Sequence, residues 1–138
     1  MTSETNVAAL ERMAELINTG DLDGLDEVVD QDAVDHDPMP DQKPGPEGFK
    51  DFFGMLRAAF PDLTLEPVTV VADEEHVAMA YTIEGTHQGD FQGMAATGKR
   101  ISVHGTEIVK FRDGKLTERW GSSDELGILT QLGFTVEP

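Results

Sequence analysis

The chain has 138 residues, with 27 acidic and 10 basic side chains, a formal charge of −17 and no cysteine. That length suits one domain with a core that needs no covalent staples, and the missing thiols exclude disulfides, thiolate metal sites and cysteine nucleophiles. A surface this negative repels phosphate backbones and anionic headgroups, so neither nucleic acid nor a membrane surface is an expected partner.

Val7, Leu10, Met13, Ala14 and Ile17 recur at three- and four-residue spacing and predict a helix over 6–18, capped by Thr5 or Asn6 and stopped at Gly20. A second short helix fits 21–29, with Leu22, Leu25 and Val28 along one side. Residues 33–38 read as a brief extended segment, and the prolines and glycines of 38–48 mark a loop. Pro46 then opens a third helix whose apolar stripe is Phe49, Phe52, Phe53, Leu56, Ala59 and Phe60.

Beyond Pro61 the apolar period falls to two. Leu63–Val71 forms a strand interrupted by Pro67, which marks an edge strand or a bulge. His76–Thr86 returns as a strand with Val77, Met79, Tyr81 and Ile83 on one face, and the glycines of 85–98 mark a mobile connection or mouth loop. Strands 100–111 and 115–122 join through Asp113-Gly114, a two-residue hairpin signal. Asp124 caps a last helix over 125–132. Helices followed by a meander of long strands predict a single α+β domain over 1–138, with helices on one sheet face. The acidic opening has neither the basic nor the apolar region of a signal peptide, and no stretch approaches the ~20 apolar residues of a membrane span, so a cytoplasmic location is expected.

A hairpin closing regularly on Asp113-Gly114 sets Val109 opposite Glu118 and Glu107 opposite Trp120. Both glutamates then share the apolar face with Ile101, Val103, Phe111, Leu116 and Trp120. Burial raises the pKa of a carboxyl towards the range useful for proton transfer, while a rim or interface ion pair is the structural alternative. Strict alternation turns His104 to the polar face, but a bulge at Gly105 brings it to the other. His36 either orients between Asp35 and Asp37 or lines a pocket, and His87 lies in the glycine-rich stretch. Adjacent strand residues point opposite ways, so Asp35, His36 and Asp37 do not chelate one ion, and no metal is expected. No dinucleotide, phosphate-loop or GxSxG signature occurs.

The segments Val34-Asp35-His36-Asp37-Pro38, Gly45-Pro46-Glu47-Gly48-Phe49 and Ala59-Phe60-Pro61-Asp62-Leu63 resemble the SnoaL-like polyketide cyclase (ester cyclase) family. The likeness continues through Gly85-Thr86-His87-Gln88-Gly89, Thr97–Arg100, Phe111–Lys115, Glu118-Arg119-Trp120 and Leu126–Gly133, so it spans about 7–133. It implies a cone-shaped fold like nuclear transport factor 2 (cystatin-like), with three N-terminal helices on a curved antiparallel sheet and a short C-terminal helix. It also implies a pocket for a hydrophobic small molecule, pairing of two copies through the sheet, and aldol ring closure without a cofactor. Glu118 matches the family's acid/base carboxylate and His104 its partner histidine, with His36, Phe53, Trp120, Glu107 and His87 as substrate-contacting positions. The chain departs from the family in having Glu118 where the cyclases carry aspartate, Gly121 where many relatives carry an acid, and Met13 near a position that is tyrosine in some. Competing readings are a non-catalytic binding module, a structural dimerisation domain and an epoxide hydrolase or isomerase. Epoxide hydrolysis on this fold needs an Asp–Arg–Asp set, and none of Arg57, Arg100 or Arg119 has an aspartate pair in the expected register.

Overall fold

The computed structural model describes residues 2–134. Helix α1 (Ser3–Thr19) begins one turn earlier than its apolar period, because the Thr2 side chain accepts the Thr5 N–H, and it ends at Gly20 with φ 81°. The segment predicted as a second α-helix is a 3-10 turn, Leu22–Glu27. Asp23 and Gly24 disfavour a longer helix there, and only Leu25 needs burial. Strand β1 (Val29–Asp35) follows, then α2 (Pro46–Ala59), opened by proline. Strands β2 (Thr64–Ala72), β3 (His76–Thr86), β4 (Arg100–Arg112) and β5 (Lys115–Ser123) lead to α3 (Glu125–Gln131), whose cap Asp124 accepts the Gly127 N–H.

The strands form one curved sheet in the order β1-β5-β4-β3-β2. It is mixed rather than purely antiparallel, because β1 lies parallel to β5. Strand β2 is an edge, and its ladder slips between Pro67 and Thr69, where proline donates no N–H. Asp113 and Gly114 take φ 53° and 79°, the paired positive values of a tight hairpin turn. Leu10, Met13, Leu16 and Ile17 of α1 and Phe49, Leu56 and Ala59 of α2 pack against Val77, Met79, Ile83, Val103, Val109 and Leu116 of the sheet. Each such aliphatic side chain contributes about 1.5–3 kcal/mol by leaving water. Among the described residues no helix is long and apolar enough to cross a membrane.

The 87–99 connection is tied down rather than free. Gln88 and Gly89 N–H groups both donate to the Ala59 carbonyl, and His87 exchanges backbone bonds with Lys99 and Gly98. The His87 ring is fully buried against Phe60 and Phe91, and its Nδ1 accepts the Thr97 N–H.

Candidate active site

A single bulge decides what the cavity contains. The β4–β5 ladder runs Arg112–Lys115 and Phe111–Leu116, then slips so that Lys110 pairs with Glu118, Val109 with Arg119 and Glu107 with Gly121. The extra residue is Thr117, whose hydroxyl donates to the Lys110 carbonyl. After the slip, side-chain parity inverts. Arg119, Gly121 and Ser123 face inward, whereas Glu118 and Trp120 stand on the outer face, a correction to the regular register. The bulge expected at Gly105 is absent, since the β3–β4 ladder is unbroken there; the His104 imidazole is exposed and hydrogen-bonded to Thr82, although His104 is among the residues that border the cavity described next.

The inner face encloses a cavity of about 860 Å³. Phe49, Phe52, Phe53, Leu56, Phe60 and Ile83 supply its apolar wall, while Asp35, Arg119, Tyr81 and Ser123 form a polar end. Arg119 is clamped between two carboxylates from different strands. Its Nη1 donates to both Asp35 oxygens at 3.2 Å, and its Nε donates to Glu107 Oε2 at 2.8 Å. Asp35 also accepts from the Asp37 N–H and from Gln42 Nε2. All three charged side chains are nearly sealed: Asp35 is 7 % exposed, Glu107 13 % and Arg119 16 %.

Burial pushes the Glu107 carboxyl above the usual carboxylate range, and the neighbouring Arg119 charge only partly offsets this. Burial alone lowers the Arg119 guanidinium, yet Glu107 and Asp35 outweigh it and hold the group above its ordinary value. Glu107 lines a smaller void of about 40 Å³ beneath α1, so Asp35 is the carboxylate of the two that borders the large cavity.

Two inward glycines make this arrangement possible. Gly105 seats the Tyr81 ring: a Cβ there would lie 2.5 Å from the phenol oxygen, so any side chain displaces the tyrosine. Tyr81 thus crosses β4 to reach Ser123 on β5, with oxygens 2.7 Å apart. Burial raises the Tyr81 pKa, which keeps the phenol neutral and able to donate. Gly121 clears the path of Arg119 in the same way, since a Cβ there would lie 2.6 Å from Nη2.

The remaining predicted positions divide. Phe53 lines the large cavity and Glu107 the small one. His87 is packed under the connection it braces and borders neither. His36 and Trp120 stack on the outer face with ring centroids 4.6 Å apart, and His36 Nε2 lies 3.0 Å from Glu118 Oε1. That bond, and then the Lys110 charge, hold the Glu118 carboxyl below its ordinary range. Local sequence pattern does not pick out Arg119, Asp35 and Tyr81 for this site. The available signal was Gly105 and Gly121 inside strands, each marking a close approach.

An α+β fold whose curved sheet and helices enclose an apolar cavity with a charged, hydrogen-bonded end offers a pocket for a hydrophobic small molecule. The chain belongs to the SnoaL-like polyketide cyclase family, whose model matches residues 7–132. It is 30 % identical over 135 residues to the aklanonic acid methyl ester cyclase DnrD of Streptomyces peucetius, covering 94 % of this chain and 91 % of that one. The aklanonic acid methyl ester cyclase DauD of Streptomyces sp. (strain C5) is 32 % identical over 128 residues, covering 88 % and 78 %. Among solved structures, TsrD from Streptomyces laurentii superposes with TM-score 0.89 at 25 % identity, over 98 % of this chain and 99 % of that one. IdmH from Streptomyces antibioticus gives 0.81 at 31 % identity, over 93 % and 98 %.

Proposed function

We propose that this protein closes a ring in a hydrophobic polyketide ester by intramolecular aldol condensation, with Asp35 as the base. The observation that carries the proposal is the Asp35–Arg119 pair at the polar end of a phenylalanine-lined cavity. Asp35 takes a proton from a methylene activated by flanking carbonyls. The resulting enolate carbon bonds to an internal carbonyl carbon, and that carbonyl oxygen becomes an alkoxide that takes back the proton held by Asp35, returning the carboxylate. Tyr81, neutral and aimed across Gly105, donates a hydrogen bond to the developing charge. The phenylalanine wall excludes water and holds a flat ring system in position.

The charge of the lining supports an esterified substrate. Asp35, Asp37, Asp124 and Glu125 border the cavity, and its one arginine or lysine among the described residues, Arg119, is engaged by two carboxylates. A free carboxylate meets net repulsion there, whereas a methyl ester does not. The two relatives named above are called cyclases of aklanonic acid methyl ester, which makes that compound the first probe. The expected result is ring closure of the ester followed by product chromatography, with the free acid turned over at least about tenfold more slowly. Tight binding of the ester without product would instead identify a binding module.

One observation favours a second reaction on the same residues. Arg119 between Asp35 and Glu107 approximates the acid–arginine–acid set required for adding water to an epoxide. Diol formation from a cyclic epoxide, absent ring closure of the ester, would select it.

Pairing of two copies through the outer sheet face is supported by a cross-strand row of Val71, Ala78, Ile108 and Trp120, of which Val71 is 64 % and Ile108 47 % exposed. Sedimentation should give twice the chain mass for the native protein and the single mass for Ile108→Asp; a native monomer removes the proposal.

A further inference from the structure

The carboxylate assigned as base sits on a strand that backbone pairing holds poorly. Strand β1 pairs with β5 at Val29–Leu116, loses register, and re-engages only at Val34–Glu118 and Asp35–Arg119; the His36 N–H donates to the Arg119 carbonyl just beyond, and the Gly45 N–H to the Ala33 carbonyl within the gap. The slip falls at the same point of β5, Thr117, where the β4–β5 ladder also breaks. Two successive irregularities leave the end of β1 free to shift along or away from β5 unless side chains fix it.

Side chains grip it from both faces. Inside, Asp35 meets Arg119, and Asp37 Oδ2 accepts the Gly121 N–H at 2.8 Å. Outside, the His36 ring lies flat on Trp120, 10° from parallel, and its Nε2 reaches Glu118 at 3.0 Å. Because neighbouring strand residues point to opposite faces, holding His36 outside fixes Asp35 inside.

We infer that His36, clamped by Trp120 and Glu118 on the outer face, is a positioning residue that sets Asp35 against Arg119 in the cavity. Its value to turnover rests on the acid/base reading, but its action on Arg119 does not. Stacking of two flat rings contributes dispersion and excludes water from one side of the His36–Glu118 bond. The outward residues His36, Glu118 and Trp120 thereby act on their inward neighbours Asp35, Asp37 and Arg119. Anything that alters the outer face is transmitted to the cavity through one strand.

The test needs no substrate. The Arg119 Nε–H, bonded to Glu107, gives an arginine side-chain resonance in ¹⁵N spectra, assigned by its loss in Arg119→Lys. In His36→Ala that resonance should move or broaden, and its hydrogen exchange should quicken by about tenfold or more. His36→Phe, which keeps the stack, should restore part of the protection. Should His36→Ala not fold, Glu118→Ala removes the outer bond at an exposed site and should quicken exchange in the same direction. An Arg119 signal unchanged in position, with exchange within about twofold of the native protein in folded His36→Ala or, failing that, in Glu118→Ala, overturns the inference. Failure of ester turnover with the clamp intact would count against the cyclase reading alone.

Discussion

Arg119→Met should lower the unfolding free energy by about 3–5 kcal/mol at neutral pH and abolish any turnover. Removing one member of a buried ion network leaves its partners desolvated and uncompensated, and such losses are of that size. Here two carboxylates, Asp35 and Glu107, lose the cation they share. For a chain of this length the loss corresponds to a fall of roughly 10–15 °C in the thermal midpoint. The pH dependence has a definite sign. Deprived of the guanidinium, the Glu107 carboxyl loses the charge that offsets its burial and titrates still higher in the folded chain than in the unfolded one. Groups shifted that way favour the fold below their unfolded pKa and lose the contribution as pH rises through the folded value. Glu107 already leans in this direction in the native protein, because burial outweighs the arginine. The gap between variant and native protein is therefore small near pH 4 and widens towards pH 7, as denaturant titrations at both values would reveal. An equal deficit at the two pH values would mean that Arg119 contributes packing alone.

Asp35→Asn should slow ring closure of the ester by about 10²–10⁴-fold, the usual worth of a positioned base. The amide keeps an acceptor oxygen for Arg119 but no longer takes a proton, so binding of the ester should weaken far less than turnover falls. Comparison with Glu107→Gln separates the two carboxylates, since only Asp35 borders the large cavity. If Glu107→Gln is the more damaging change and Asp35→Asn leaves single-turnover rates within about threefold, the base is Glu107.

Much of the architecture was readable from local pattern. The shift of apolar period at Pro61, the Asp113-Gly114 turn and the proline in β2 each carry a direct steric or hydrogen-bonding consequence, and each appears where that consequence places it. The 3-10 turn at Leu22–Glu27 was not readable as such, because so short an acidic stretch satisfies either helix type. The site was lost at one residue. Between Leu116 and Trp120 the chain offers only Thr117, Glu118 and Arg119, so no apolar side chain reports which face is inner. With Trp120 taken as an inward residue, Glu118 fell inside and Arg119 outside; the bulge exchanges them. Gly105, a strand glycine of the kind that signals a bulge, makes room for a ring instead. The Asp35–Arg119 contact joins residues 84 positions apart across a parallel pair, and nothing in local periodicity encodes that pairing.

The inversion at Thr117 also bears on how such a pocket diversifies. Losing that one residue from the hairpin arm would turn Glu118 and Trp120 into the chamber and send Arg119 to solvent, with every amino acid otherwise unaltered. Gain or loss of a single codon there works as an inside-out lever on which charges the chamber holds, one that comparisons counting only replaced letters would score as trivial.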